Sequence, residues 1–300
     1  YVASHPLEEV AVMKPFTPVA PVFPLFLDLP LMTGDEVEHA PHIAVTADPW
    51  PGSVEVVSSV TGSGYQRNLT IAGASIIGTT QTPLAAAKPG LIDRGAPLRV
   101  RVSNGHLSSV EDAEEDVYEL SMRLRGQLGS DGLMPSEWPA GSYIVLMNGM
   151  PEQIALPVAN RDTARHYRIG PTSRSYDDEA YIEKYEAIRG KGLRPLSPVH
   201  LRGRRLDDGD LAVNWTRRTR LEGDSWSGFD VPLGEASELY ILRVIHGGSL
   251  KREVQVMSPE WLYPAGLQAA DGVSGAFEIE VAQVSERFGA GLYTRIEIND

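Results

Sequence analysis

The residues best suited to proton or metal chemistry near neutral pH are the histidines His5, His39, His42, His106, His166, His200 and His246. None stands beside a serine elbow or at the spacing of a zinc motif. His39 and His42, three apart, would chelate an ion from a helix, but Pro41 lies between them and breaks one. The acidic run Glu111, Asp112, Glu114, Glu115 and Asp116 offers the hard oxygen ligands calcium takes. It lacks the alternating Asp/Asn and the Gly of a calcium loop, so a solvated loop is expected. Asp207-Asp208-Gly209-Asp210 reads as a hairpin turn, where Asp and Gly are favoured for their backbone conformation. The chain has no cysteine, which removes disulfides and thiolate chemistry together. No catalytic residue, no metal site and no cofactor is expected.

Binding chemistry has better candidates. Glu137-Trp138 in a Gly/Pro-rich loop, and Asp224 near Trp226, each set a carboxylate close to an indole, as carbohydrate sites often do. Glycoside hydrolysis would further need two carboxylates about 5 to 9 Å apart, which a sequence does not display. Arg202, Arg204, Arg205, Arg217, Arg218 and Arg220 are read as falling on the first two strands of the final domain. Paired, those strands would gather the arginines into a patch suited to an acidic partner or an anionic surface polysaccharide. The competing reading is a charged sheet edge that discourages aggregation.

The elements that must carry these residues read as short strands. Ile43–Val45, Val54–Val60 and Asn68–Ile77 are separated by Asp48-Pro49-Trp50-Pro51-Gly52 and Thr61-Gly62-Ser63-Gly64. Leu98-Arg99-Val100-Arg101-Val102 alternates apolar with basic, the mark of a half-buried strand, and Asn104-Gly105 is a hairpin signal. Tyr118–Arg125 and Tyr143–Met147 continue the series. Asp178–Gly190 fits a helix face or a strand, and strand is preferred. Together residues 43–192 predict a β-barrel or sandwich. Gly190-Lys191-Gly192 with Pro195 and Pro198 predicts a hinge and domain boundary.

Beyond the boundary, Val199–Leu206 and Leu211–Trp215 are followed by Tyr240–Ile245, Arg252–Val256, Phe277–Val284 and Tyr293–Ile298. Leu211, Val213 and Trp215 point to one side as a core face. Short strands in this number, with Trp on the second, predict a fibronectin-type-III-like β-sandwich over residues 193–300. The chain is thus expected to be all-β.

Composition agrees: 29 Gly, 22 Pro and 42% hydrophobic residues describe a folded, turn-rich chain. With 27 Lys plus Arg against 40 Asp plus Glu, the net charge of −13 argues against a surface built to neutralise phosphate backbones. The apolar run Val10–Met32 contains Pro15, Pro18, Pro21, Pro24 and Pro30 with Lys14 and Asp28, too many helix breakers for a membrane span. Residues 1–42 are read as an extended linker or edge segment ending a preceding domain. The start at Tyr1 suggests the carboxyl-terminal piece of a longer protein.

Several strings are more distinctive than turn chemistry. Arg165-His166-Tyr167-Arg168-Ile169-Gly170-Pro171, Arg174-Ser175-Tyr176-Asp177-Asp178, Gly192-Leu193-Arg194-Pro195-Leu196-Ser197-Pro198-Val199-His200-Leu201 and Trp215 resemble the carboxyl-terminal part of the large tail-tip protein of gene transfer agents and siphophages. Arg217-Arg218-Thr219-Arg220, Gly223-Asp224-Ser225-Trp226, Val231-Pro232-Leu233-Gly234-Glu235 and Gln268-Ala269-Ala270-Asp271-Gly272 extend the likeness. The resemblance covers the second half well and the first half more loosely. It implies a trimeric baseplate subunit of a virion tail tip, assembled in a bacterial cytoplasm and released outside. Hub-like domains near the lumen and an outward fibronectin-like module would contact other baseplate and distal tail proteins, with DNA only as passing cargo. It implies no catalytic residue.

Overall fold

The computed structural model describes residues 21–30, 37, 40–87, 92–95, 98–102, 117–121, 123–124, 130, 133–147, 149, 151–160, 162–220, 223 and 231–299. The acidic run 111–116, the Asn104-Gly105 turn, His5, His39, His106, Asp224 and Trp226 lie outside these residues.

Strands β1 (Phe23–Leu27), β2 (His42–Thr46), β3 (Val54–Ser59) and β4 (Gln66–Ile71) open the first domain. An insertion follows, with β5 (Ile77–Thr80), β6 (Leu84–Ala85), β7 (Ile92–Asp93), β8 (Leu98–Val102), β9 (Val117–Leu120), β10 (Arg123–Leu124), β11 (Glu137–Trp138) and β12 (Tyr143–Val145). The domain is completed by β13 (Glu152–Gln153), β14 (Arg165–Pro171) and β15 (Ile182–Glu186). The second domain holds β16 (Val199–Arg205), β17 (Leu211–Thr216), β18 (Tyr240–His246), β19 (Ser249–Val256), β20 (Glu260–Tyr263), helix α1 (Ala265–Ala270), β21 (Phe277–Ser285), β22 (Gly289–Ala290) and β23 (Thr294–Ile298). The described residues are all-β apart from α1 and short single turns of helix.

In the second domain β16-β17-β20 form one sheet, and β19-β18-β21-β23 form the other, with β22 pairing the far end of β21. Counting main strands in chain order, the sheets are first-second-fifth and fourth-third-sixth-seventh, the order of a fibronectin type III sandwich. Alternation supplies the core. Leu211, Val213 and Trp215 of β17 face Tyr240, Leu242 and Val244 of β18 and Phe277, Ile279 and Val281 of β21. The Trp215 indole meets the Tyr240 ring edge-on at 5.1 Å between centroids. Burying side chains of this size contributes roughly 1.5–3 kcal/mol each.

The first domain repeats that order. β1-β2-β13 form one sheet and β15-β14-β3-β4 the other, again first-second-fifth and seventh-sixth-third-fourth once the insertion is set aside. Val22, Ile43, Val45, Val54, Val56, Ile71, Ile154, Tyr167 and Ile169 make its core. The fibronectin-like arrangement expected only at the end of the chain therefore occurs twice, in tandem.

Several expectations change. The Pro-rich segment supplies the edge strand β1, so the first sandwich begins inside residues 1–42. Pro24 is tolerated because β1 pairs only with β2, and an edge strand can spare a donor. The expected strand 68–77 ends at Ile71 and resumes as β5 in a different sheet. Tyr118–Arg125 likewise divides between β9 and β10. Asp178–Gly190 contains a strand, Ile182–Glu186. The expected hinge is a packed elbow: Ile188, Gly190, Leu193, Pro195 and Pro198 are all buried. A Cβ on Gly192 would overlap Leu29, and one on Gly291 would overlap the Pro195 carbonyl. These glycines serve close approach, not flexibility.

The insertion has its own four-stranded sheet, β12-β5-β8-β9, flanked by the two-stranded ladders β6-β11 and β7-β10. Its buried residues Ile77, Leu98 and Val100 lie outside both main cores.

Candidate functional site

The arginines expected to form one patch separate in the structure. On β16 a bulge between Val199 and Arg202 brings Arg202 opposite Asn214 and Arg204 opposite Ala212. His200 sits in that bulge with φ 54°, the left-handed region that few side chains enter. Leu201 is then buried, while Arg202 and Arg204 are exposed on the outer face. Neither makes a hydrogen bond or ion pair among the described residues. Glu260 and Leu262 of β20 stand across β17 from them, paired with Asn214 and Ala212. The outer face of this sheet is thus a small mixed surface of two cations, a carboxylate and an exposed leucine.

The other arginines are engaged by neighbouring segments. Arg205 donates to the side-chain oxygen of the buried Gln268 in α1 at 3.0 Å. Arg217 donates to the carbonyls of Val231 at 2.7 Å and Pro232 at 3.0 Å. Arg218 binds the Ser197 carbonyl at 2.7 Å and its hydroxyl at 2.6 Å. Arg220 pairs with Glu235 at 3.0 Å, its guanidinium 5.1 Å from the Phe288 ring centroid. These groups tie connecting segments to the sandwich, so the six arginines do not form one patch, and Arg202 and Arg204 share the outer face.

Trp138 lies on β11 opposite Leu84 and is 44% exposed, beside the exposed Glu137. The indole and carboxylate are therefore available to a ligand. More large apolar side chains stay exposed around it in sequence: Ile92, Leu120, Leu133, Tyr143, Leu146 and Met147 all belong to the insertion or its last turn. An isolated exposed leucine is ordinary; here several large apolar side chains are exposed along one segment.

A second surface was not signalled by sequence spacing. The outer face of β15-β14-β3-β4 carries Glu183 opposite Arg168 and Tyr185 opposite His166. Arg168 donates to the Tyr176 carbonyl at 2.8 Å and contacts Asp177 and Glu183, its guanidinium 5.3 Å from the Tyr65 ring centroid. Tyr65 and Tyr176 stand 5.5 Å apart, and the His166 ring lies 4.6 Å from Tyr185. His166 Nδ1 meets Glu183 at 3.2 Å. The loop 172–181 that brings Tyr176 here is anchored by Tyr181. Its hydroxyl donates to the buried Glu55 at 2.7 Å, and Arg67 holds the other Glu55 oxygen at 2.6 Å. Burial, then the Glu55 hydrogen bond, push the Tyr181 hydroxyl well above its usual ionisation range, so it remains a donor. A Cβ on Gly170 would overlap the Tyr181 ring, which rests on bare backbone.

The second domain has a matching anchor at α1. Arg252 grips Asp271 through two hydrogen bonds, 2.6 and 2.8 Å, and Tyr263 donates to the same carboxylate at 2.6 Å. The Arg252 bond, with help from Tyr263 and against the pull of burial, holds the Asp271 carboxyl below its ordinary range. Among the described residues no group of three His, Cys, Asp or Glu is placed to hold a metal ion. No described helix is long and apolar enough to cross a membrane.

Residues 75–116 match the model of a family described as Rcc01698-like, C-terminal. The match begins just before β5 and falls on the insertion. No curated protein matches the chain. Among solved structures, the rat CD45 extracellular region, domains d3-d4, is similar at 12% identity, covering 63% of this chain and 92% of that one with a TM-score of 0.28. A two-domain fibronectin type III segment of chicken tenascin is similar at 9% identity, covering 74% and 99%, TM-score 0.26. The FN1–FN3 domains of chicken CNTN1 are similar at 10% identity, covering 94% and 99%, TM-score 0.25. The fibronectin-like assignment rests on the strand order of the two sandwiches.

Proposed function

We propose that this chain is a structural part of a phage-like tail tip, a baseplate segment of a gene-transfer-agent type particle, whose insertion makes subunit contacts and whose sandwiches are held outward for host attachment. The observation that carries this reading is the concentration of exposed apolar side chains on the insertion, whose first part, residues 75–116, the family model matches. The strings shared with tail-tip proteins support the same setting. The partners are other copies of the chain, as a trimer, with neighbouring baseplate and distal tail proteins; DNA passes as cargo. Closed-symmetry oligomers bury apolar surface of this kind.

Light scattering on the protein and on a variant with residues 77–145 replaced by a short Gly-Ser turn tests the reading. Three copies are expected for the intact chain and one for the variant, with circular dichroism showing both still strand-rich. A monomer in both cases at high micromolar concentration, or a trimer in both, removes the role of the insertion.

A second reading is favoured by the availability of Trp138 beside Glu137: contact with host surface polysaccharide, with Arg202 and Arg204 as anionic-sugar donors. A glycan array probed with the protein and with Trp138→Ala distinguishes it, since loss of a defined glycan signal in the variant is required.

A further inference from the structure

The elbow between the sandwiches carries an open polar cleft of ≈ 590 Å³, lined by Asp162, Arg189, Arg194, Glu286, Arg287 and Phe288. That volume lies within the range of small-molecule sites, about 300–1,000 Å³. Its floor is fixed. Phe288 is buried, and Gly190, at φ +65°, passes so close that an added Cβ would stand 2.9 Å from the ring. Three guanidiniums converge here in a chain whose net charge is −13. Arg189 is partly answered by Asp162 at 3.5 Å. The Arg194 Nε is buried with no hydrogen-bond partner among the described residues.

We infer that this cleft binds a phosphate group. Guanidinium forks match the oxygens of a tetrahedral oxyanion, and several of them around one space concentrate positive potential where an anion would sit. The two carboxylates sharpen the choice. They repel a fully ionised anion, but each can accept a proton-bearing oxygen. Hydrogenphosphate keeps a proton near neutral pH, and sulfate has none to give. The arrangement of Arg189, Arg194 and Arg287 with Asp162 and Glu286 therefore favours a proton-bearing phosphate over sulfate, as free hydrogenphosphate or as the monoanion of a small phosphomonoester. Residues of the first domain, the elbow and the second domain all contribute, so a bound phosphate would clamp the two sandwiches to each other.

Calorimetric titration of the full chain with inorganic phosphate, glucose 6-phosphate and sulfate, at one ionic strength set with chloride, tests the assignment. Saturable binding of at least one phosphate compound, about tenfold or more tighter than sulfate, is expected. Arg189→Ala and Arg287→Ala, both at exposed positions that leave the cores untouched, should each weaken it by about tenfold, the loss of one charge-assisted contact. Preference between the two phosphate compounds identifies the source of the group. No saturable binding, equal affinity for sulfate, or binding unchanged in both variants overturns the proposal.

Discussion

The two sandwiches have the same strand order and differ chiefly in the connection from fourth to fifth strand. In the second, residues 257–259 join β19 to β20; in the first, residues 72–151 join β4 to β13. Both ends of that connection are pinned by packed sheets, and closing a longer loop costs slowly more, about 0.6 kcal/mol per doubling of length. The scaffold can therefore accept a whole extra sheet at this point. The second sandwich is a self-sufficient core with an ion-paired outer face, where Arg243 meets Glu253 at 2.7 Å and Arg295 reaches Glu280 and Glu278. The first holds its distinctive surface in the insertion and on the tyrosine-bearing sheet. The difference teaches that one strand order can carry very different connections without loss of the core.

The comparison breaks most visibly in the cores. Trp215→Ala should destabilise the second sandwich by about 3–5 kcal/mol and leave the first intact. Differential scanning calorimetry should then show one transition lowered and one unmoved. A single transition shifted as a whole would mean that the elbow couples the two into one cooperative unit.

Tight glycines offer a finer contrast. Gly170→Ala, against the ring of Tyr181, should cost about 1–3 kcal/mol, because an anchored ring has nowhere to go. Gly203→Ala in the second sandwich meets the tip of Ile298 at 2.5 Å, a methyl that can rotate away, and should cost less than about 1 kcal/mol. Urea denaturation of the two variants, read by tyrosine and tryptophan fluorescence, checks the order; a larger loss for Gly203→Ala would reverse the account.

The smallest effect is electrostatic and confined to the second sandwich. The folded state holds the Asp271 carboxyl below its unfolded range, so its contribution is present above about pH 4 and is lost as pH falls through the folded value. Asp271→Asn should flatten the stability curve of the second transition on that acid side and leave the first alone. An unchanged acid slope would show that other carboxylates set it.

Much of the second sandwich was legible because its strands alternate: Leu211, Val213 and Trp215 declare a core face unaided. The first hides its order. β14 is central yet reads Arg-His-Tyr-Arg-Ile-Gly-Pro, since its outer side packs against the loop 172–181 instead of solvent or a second core. β1 is masked by prolines that only an edge position permits. Whether the arginines form one patch was not legible, because sequence proximity does not tell which face a residue takes after a bulge, as at His200, or after a strand has ended, as at Arg217 and Arg218. The phosphate cleft was invisible for another reason: Asp162, Arg194 and Arg287 are far apart in the chain and meet only when the elbow is folded.

That elbow also has a mechanical meaning. With Gly192 against Leu29, Gly291 against Pro195, and the Asp28 carboxylate accepting from the Lys191 amide at 2.8 Å, the join contains no slack to be drawn out under tension. A pull on one sandwich would reach the other as torque, as through a bracket and not a tether.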